Sequence, residues 1–258
     1  MNRIEHDQSL ALDPGEVHVW LIDLDQPNID YRYWEVLLSE PEKARMGRFR
    51  FSEDRLRFIA RRGILRQLLS RYSGIEPEKI TYSTNPFGKL FLQPQSVEFN
   101  LTKSYSHIAY AFCRNSVGID LEKVRPLENM ARLINYSFSI AERNAINQLP
   151  SVIQNEAFFH VWTQKEAFIK AQGMGLSIPF QDFSVSVDPS KPAGLLDSKD
   201  QDITSWKIIS FAPEPGWRLS LCALSSEELH TQVFRPNLSD FYAIDFGTSF
   251  PSKRHKTQ

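Results

Sequence analysis

An α+β fold is what the sequence predicts, and three observations carry it. Strand-like and helix-like segments mix without the regular alternation that builds a parallel β–α–β sheet. Helical patterns followed by a pair of strand-like runs occur once on each side of Arg114–Ser116, which puts a seam there. A length of 258 residues is room for one large domain or two small ones packed together. The expected division is an N-terminal half over 1–115, a C-terminal half over 116–246 and a disordered tail over 247–258.

Each element follows from local pattern. Residues 17–23 are rich in β-branched and aromatic side chains and stop near Asp25 and Pro27, as a strand does. A helix is expected over 29–38. Ser52 precedes Glu53 and Asp54, an N-cap with acids in the first turn, and the helical pattern runs to Tyr72 with Gly74 as its stop. Phe58, the Arg61 stem, Leu65, Leu68, Leu69 and Tyr72 share one stripe of that helix, so it docks on a core while most of its arginines lie off the stripe. A strand over 80–83 leads into Asn85-Pro-Phe-Gly-Lys-Leu90, whose turn-makers predict a loop. A further strand-like segment follows at Phe99–Ser104. His107–Cys113 and Val117–Val124, separated by Arg114, Asn115 and Ser116, read as a β-hairpin. Helices are expected over 127–135, 139–148 and 155–172, the last closed by Gly173 and Gly175, and strands over 182–187, 206–211, 217–224 and 231–234. The intervening loop over 188–205 is expected to be mobile.

Composition excludes several classes. With 41% hydrophobic and 24% charged residues the chain is an ordinary globular protein. Its longest apolar run, Ile108–Cys113, is six residues, where a membrane span needs roughly 20. No secretory signal precedes Pro14, and Cys113 and Cys222 give neither a disulfide framework nor metal-type spacing, so a reducing cytoplasm is the expected location. The net charge of −1 conceals an asymmetry: Lys43–Arg71 holds ten basic residues against Glu53 and Asp54. That segment suits either an anion-facing surface or a solvated helix. No stacking pattern accompanies it, and nucleic acid is not an expected partner.

Three constellations offer chemistry. In Val117-Gly-Ile-Asp-Leu-Glu122 the two-residue period of a strand puts Asp120 and Glu122 on one face beside Gly118, whose missing side chain leaves space for a ligand. Two such carboxylates suit a hard cation such as Mg²⁺, and they equally suit the polar face of an amphipathic strand. On the helix over 155–172, Glu166 and Lys170 stand four residues apart with Trp162 and Ile169 beside them, fit for proton transfer and phosphate contact or for a plain helix-surface ion pair. Thr102-Lys103-Ser104 and Lys89 form a third group, able to join the arginines around an anion or to be solvated. His107 and His160 lack a second histidine at metal-like spacing.

The order of Arg45-Met-Gly-Arg-Phe-Arg-Phe51, Phe87-Gly-Lys89, Phe99-Asn-Leu-Thr-Lys-Ser104, Gly118-Ile-Asp-Leu-Glu122 and Trp162-Thr-Gln-Lys-Glu-Ala-Phe-Ile-Lys170 with Gly173-Met-Gly-Leu176 resembles the 4'-phosphopantetheinyl transferases of the long surfactin-synthetase-activator type, over roughly residues 17–235. The resemblance implies two similar α/β halves related by a pseudo-twofold, with coenzyme A in the cleft between them. It implies transfer of the phosphopantetheine arm of coenzyme A to a serine of an apo acyl or peptidyl carrier protein, with release of adenosine 3',5'-bisphosphate. By motif, Asp120, Glu122 and Glu166 take the places of Mg²⁺ ligands, and Lys170 that of the lysine beside the transferred phosphate. Arg45, the loop Thr84, Asn85, Phe87, Gly88 and Lys89, and Thr102, Lys103 and Ser104 take those of coenzyme-binding groups, alongside Asp120, Glu166 and Lys170. Lys103 departs from the family, which usually carries histidine there. Glu166 is assigned as proton acceptor, directly or through metal-bound water, and a chain containing both halves is expected to be a monomer. The alternatives are a metal-dependent phosphohydrolase and a non-catalytic coenzyme A-binding protein of the same fold.

Overall fold

The computed structural model describes residues 10–199 and 203–242, together with the backbone of 252–253. Its strands are β1 (Glu16–Asp23), β2 (Thr81–Thr84), β3 (Leu90–Gln93), β4 (Glu98–Ser104), β5 (His107–Cys113), β6 (Val117–Lys123), β7 (Phe183–Val185), β8 (Leu195–Ser198), β9 (Trp206–Phe211), β10 (Trp217–Leu224) and β11 (His230–Phe234). Its helices are α1 (Arg32–Glu35), α2 (Glu40–Met46), α3 (Ser52–Ser73), α4 (Met130–Ser137), α5 (Ile140–Gln148) and α6 (Ser151–Gln172). The mixed α+β class is as expected.

Two sheets build the centre. In the first, β11, β1, β5 and β4 lie in that order, β1 parallel to β11 and the other neighbours antiparallel, with 252–253 pairing beyond β11. In the second the order is β6, β10, β9. The alternation of strand side chains gives each sheet two apolar faces. On β1, Trp20 and Ile22 pack with Phe58, Leu65, Leu68 and Leu69 of α3, whereas Val17, Val19 and Leu21 meet Ile119 and Leu121 of β6 and Leu219 and Leu221 of β10. α6 covers the far side with Phe158, Phe168 and Ile169. The order through the molecule is thus α3, first sheet, second sheet, α6. The α3 stripe read from the sequence is the buried one, and Gly74 closes that helix in the left-handed region (φ 71°).

Several expectations are corrected. β5 and β6 do not form a hairpin: β5 pairs with β1 and β4, and β6 crosses to pair with β10. The reason is burial. Ala109, Ala111, Val117 and Ile119 all belong to the cluster between the sheets, which is completed by packing one sheet on the other. The helix expected over 29–38 is one turn, and α2 follows it, opened by a capping box in which the Glu42 carboxylate accepts from the Ser39 amide at 2.9 Å. β8 lies in a segment expected to be a loop and β3 begins at the last residue of another, each paired in a two-stranded ladder with β7 or β2. β11 lies beyond the expected division at residue 115, yet it joins the N-terminal sheet. Apart from the backbone of 252–253, the expected disordered tail lies outside the described residues. Among the described residues no helix is long and apolar enough to cross a membrane.

Candidate active site

β4 and β6 run side by side where the sheets meet, and their two-residue periods bring chemistry together. The Asn100 side-chain carbonyl accepts from the Ile119 amide at 3.1 Å. The Thr102 hydroxyl donates to Asp120 Oδ1 at 3.1 Å, and the Ser104 hydroxyl donates to Glu122 Oε2 at 2.9 Å. Thr102 and Ser104, expected to bind coenzyme, thus orient the two carboxylates, since all three β4 side chains project toward β6, and Thr102 also lines the cleft those carboxylates share.

α6 lies directly on β6. A Cβ at Gly118 would stand 2.1 Å from the Ala167 carbonyl oxygen and 2.3 Å from the Ala171 nitrogen, so the space expected for a ligand is filled by helix backbone. That close approach delivers the Lys170 ammonium to Asp120 Oδ1 at 2.6 Å and to the Ile119 carbonyl at 3.3 Å. Asp120, Glu122, Glu166, Lys170, Lys103 and Arg61 line one cleft of about 440 Å³, with Trp162 on its wall. The sequence thus picked out the carboxylates, Lys103 and Lys170 as a group, and the structure brings them together.

Burial raises the pKa of Glu166 above the usual carboxylate range; the charges of Asp120 and Glu122 add to this and Lys170 opposes it. Glu122 is raised in the same way, by burial and by Asp120, against the hydrogen bond from Ser104. Asp120 Oδ2 is buried with no hydrogen-bond partner. An orphaned carboxylate oxygen beside a second carboxylate fits a hard dication. Among the described residues, however, no three His, Cys, Asp or Glu side chains are grouped to hold one ion. The expected triad of Asp120, Glu122 and Glu166 is therefore not preassembled, although all three line the same cleft. An ion here would complete its shell with substrate and water oxygens, as Mg²⁺ commonly does.

The arginine-rich segment shows a second feature. Arg45, Arg61 and Arg62 place their guanidinium carbons 5.7, 5.6 and 5.7 Å from the centre of the Phe58 ring. One carboxylate, Glu42, serves this region, at 2.7 Å from Arg66 and 3.8 Å from Arg62. Arg61 Nε and Arg62 Nε and Nη1 are buried without hydrogen-bond partners, and burial together with Arg62 pushes the Arg61 pKa down. Arg61 lines the carboxylate cleft, whereas Arg62, Arg45 and Thr84 line a second cavity of about 440 Å³. The sequence showed the Arg61-Arg62 doublet, but only the packing around Phe58 shows that both leave buried nitrogens without hydrogen-bond partners.

Two of the side chains expected at the coenzyme are engaged with the end of α6. The Asn85 amide donates to the Gly173 carbonyl at 2.6 Å and the Lys89 ammonium to the Ala171 carbonyl at 2.9 Å, so both side chains are committed to the end of α6. Gly88 supplies the left-handed turn between them (φ 90°), and Phe87 is exposed at its tip. His160 is buried between Ser210 (3.2 Å) and Ser186 (3.4 Å), and His107 pairs with Glu214 at 2.8 Å.

Comparison with known proteins agrees with this geometry. Residues 116–222, which span β6 to β10 and hold both carboxylates, Glu166 and Lys170, match the 4'-phosphopantetheinyl transferase superfamily. The 4'-phosphopantetheinyl transferase HetI of a Nostoc species is 35% identical over 211 residues, covering 80% of this chain and 86% of that protein. The 4'-phosphopantetheinyl transferase Sfp of Bacillus subtilis is 29% identical over 189 residues, covering 72% and 82%. The psf-1 transferase of Bacillus pumilus is 28% identical, covering 72% and 78%. With that identity sustained over most of both chains, and the cleft residues in the matched region, this chain belongs to the 4'-phosphopantetheinyl transferases and is an enzyme of that class.

Proposed function

We propose that the cleft transfers the 4'-phosphopantetheine of coenzyme A to the hydroxyl of a serine on an apo acyl or peptidyl carrier protein. A serine oxygen–phosphorus bond forms, the pyrophosphate bridge breaks, and adenosine 3',5'-bisphosphate leaves with the bridging oxygen. The observation that carries this reading is the buried, unpartnered Asp120 Oδ2 in a cleft that also holds Glu122, Glu166, Lys103, Lys170 and Arg61.

Asp120 and Glu122 are the residues that would hold Mg²⁺, and the ion would supply Lewis-acid neutralisation of phosphate charge. Glu166, with its raised pKa, is a better base at neutral pH than an ordinary carboxylate and takes the serine proton. Lys170 fixes Asp120 and faces the transferred phosphate, while Lys103, exposed at the rim, supplies a further positive charge. Arg45, Arg61, Arg62 and Thr84 offer cations and a hydroxyl for the remaining phosphates, and the buried nitrogens of Arg61 and Arg62 that lack hydrogen-bond partners gain by an anion's arrival. On the same reading the two halves are pseudo-twofold relatives, coenzyme lies between them, and the protein works as a cytoplasmic monomer with Cys113 and Cys222 free and buried.

Intact mass of an apo carrier protein after incubation with this protein, coenzyme A and Mg²⁺ tests the proposal. The expected result is a gain of one phosphopantetheine, lost with EDTA and slowed about 100-fold by Glu166→Gln. No gain on either an acyl or a peptidyl carrier would overturn the reaction, and full activity of Glu166→Gln would overturn the base.

A further inference from the structure

Two arginines stand beside Glu42, yet only one is bonded to it. Arg66 donates from Nε to Glu42 Oε2 at 2.9 Å with its Nη2 2.7 Å from the same oxygen, and its Nη1 donates to the carbonyls of Pro77 (3.1 Å) and Ile80 (2.9 Å). Arg62 Nε stops 3.8 Å from Oε1, close enough to feel the charge and too far for a hydrogen bond. That oxygen is already taken, because the Tyr82 hydroxyl donates to it. We infer, given the phosphate contact proposed for Arg62, that Tyr82 is a positioning residue: by occupying Glu42 Oε1 it denies Arg62 that partner and keeps the Arg62 guanidinium free for a phosphate of coenzyme A.

The Glu42 carboxylate has no oxygen to spare. Besides Arg66, Oε2 accepts from the Ser39 amide and the Ser39 hydroxyl, both at 2.9 Å. Burial would raise the Glu42 pKa, but the hydrogen bonds from Tyr82 and Ser39 and the charge of Arg66 hold it below the usual carboxylate range, so the group is ionised. Burial pushes the Tyr82 pKa up, so its hydroxyl keeps the proton and stays a donor. Arg62 is left with Nε and Nη1 buried and without hydrogen-bond partners. Leaving such nitrogens unanswered is costly, and a phosphate is the kind of group that answers them. The Tyr82 ring steadies both cations as well: the guanidinium carbons of Arg62 and Arg66 lie 5.6 and 5.4 Å from its centre.

Glu42 of α2, Arg62 of α3, and Tyr82 and Thr84 of β2 line the same cavity as Arg45. Tyr82 and Thr84 are two residues apart on the strand, so its period gives both side chains one face. Without the Tyr82 hydroxyl, Oε1 would be open to Arg62, and coenzyme would have to break a buried ion pair before its phosphate could bind. With the hydroxyl in place, the phosphate meets a guanidinium that gives up no partner. A tyrosine that touches no phosphate thereby sets the affinity for one.

The test uses the full chain as Tyr82→Phe, Arg62→Gln and the double variant, reading the coenzyme A dissociation constant by calorimetry, and kcat and the KM for coenzyme A on an apo carrier. Tyr82→Phe keeps the ring beside both guanidiniums and removes only the hydroxyl, which opens Oε1 to Arg62. The expected result for Tyr82→Phe is a dissociation constant and a KM each raised about tenfold, with kcat within about twofold of the parent. Arg62→Gln should weaken coenzyme binding at least as much, and the double variant should bind no more weakly than Arg62→Gln alone, because Tyr82 acts through Arg62. Unchanged affinity in Tyr82→Phe would overturn the inference, and so would losses that add in the double variant, which a merely structural tyrosine would give; either leaves the Arg62 contact standing. Unchanged affinity in Arg62→Gln would overturn that contact and the role of Tyr82 with it, while the reaction itself is judged separately by the mass gain on the carrier.

Discussion

α3 and α6 have the same 22-residue length and the same left-handed glycine stop, and each lies on a sheet, yet they treat charge in opposite ways. On α3, Arg61 and Arg62 crowd one phenylalanine ring with buried nitrogens unmatched. On α6 the polar groups are buried and answered. Lys165, with none of its side chain exposed, meets Glu142 at 2.9 Å and the Phe180 carbonyl at 2.7 Å; the Thr163 and Ser220 hydroxyls bond at 2.8 Å; Gln164 donates to the Ser186 carbonyl at 2.9 Å. The difference separates two tasks. A surface that attracts a polyanion works by holding charge unsatisfied until the ligand comes, whereas a surface that performs chemistry needs its neighbours fixed. Thr163, Gln164, Lys165 and Lys170 around Glu166 are all held by partners, while Glu166 itself lines the cleft.

Removing charge should therefore have opposite consequences on the two helices. The largest effect is expected at Lys165→Met, which leaves the Glu142 carboxylate buried without its cation and should cost about 3–5 kcal/mol in urea unfolding. Breaking the exposed Arg57–Glu53 pair on α3 should cost under about 1 kcal/mol in the same assay. Equal losses at both sites would erase the contrast.

The second effect is read by pH. Burial lowers the His160 pKa to about 4, from 6.5. The unfolded chain therefore takes up this proton at a higher pH than the folded one, so stability is complete above about pH 6.5 and falls as pH drops toward 4. The loss between pH 7 and pH 5 should be about 2 kcal/mol. His160→Gln should flatten that slope even if it lowers the stability at pH 7; an unchanged slope would place the acid sensitivity elsewhere.

The smallest effect sharpens the α3 side. Arg61→Gln relieves the repulsion with Arg62 and should leave unfolding stability equal or higher, while weakening coenzyme A binding by about tenfold and reducing its salt dependence. Unchanged affinity, measured by calorimetry at two salt concentrations, would mean that Arg61 meets no phosphate.

Some of this was legible in advance. β1, β4, α3 and α5 lie where local pattern put them, because period, caps and glycine stops act within a few residues of the chain. α2 had a readable signal in Ser39-Glu40-Pro41-Glu42, a capping box with proline near the helix start. β3 and β8 had no such signal: each is four residues long and exists through its partner strand. The carboxylates were found because strand period alone puts Asp120 and Glu122 on one face. The contacts of Lys89 were not legible because its partners lie 27, 28 and 82 residues away.

By itself, then, the sequence determined the mixed α+β class, the arginine-rich helix and the residues able to do the chemistry, since side-chain identity and local periodicity are properties of the chain. Tertiary structure alone decided that β6 leaves β5 for β10, that the Thr102 and Ser104 hydroxyls meet carboxylates, and that Lys89 bonds the end of α6. Each of these is a choice among partners distant in sequence. Burial makes the choice, because a polar group taken out of water must be answered by whichever neighbour the packing brings.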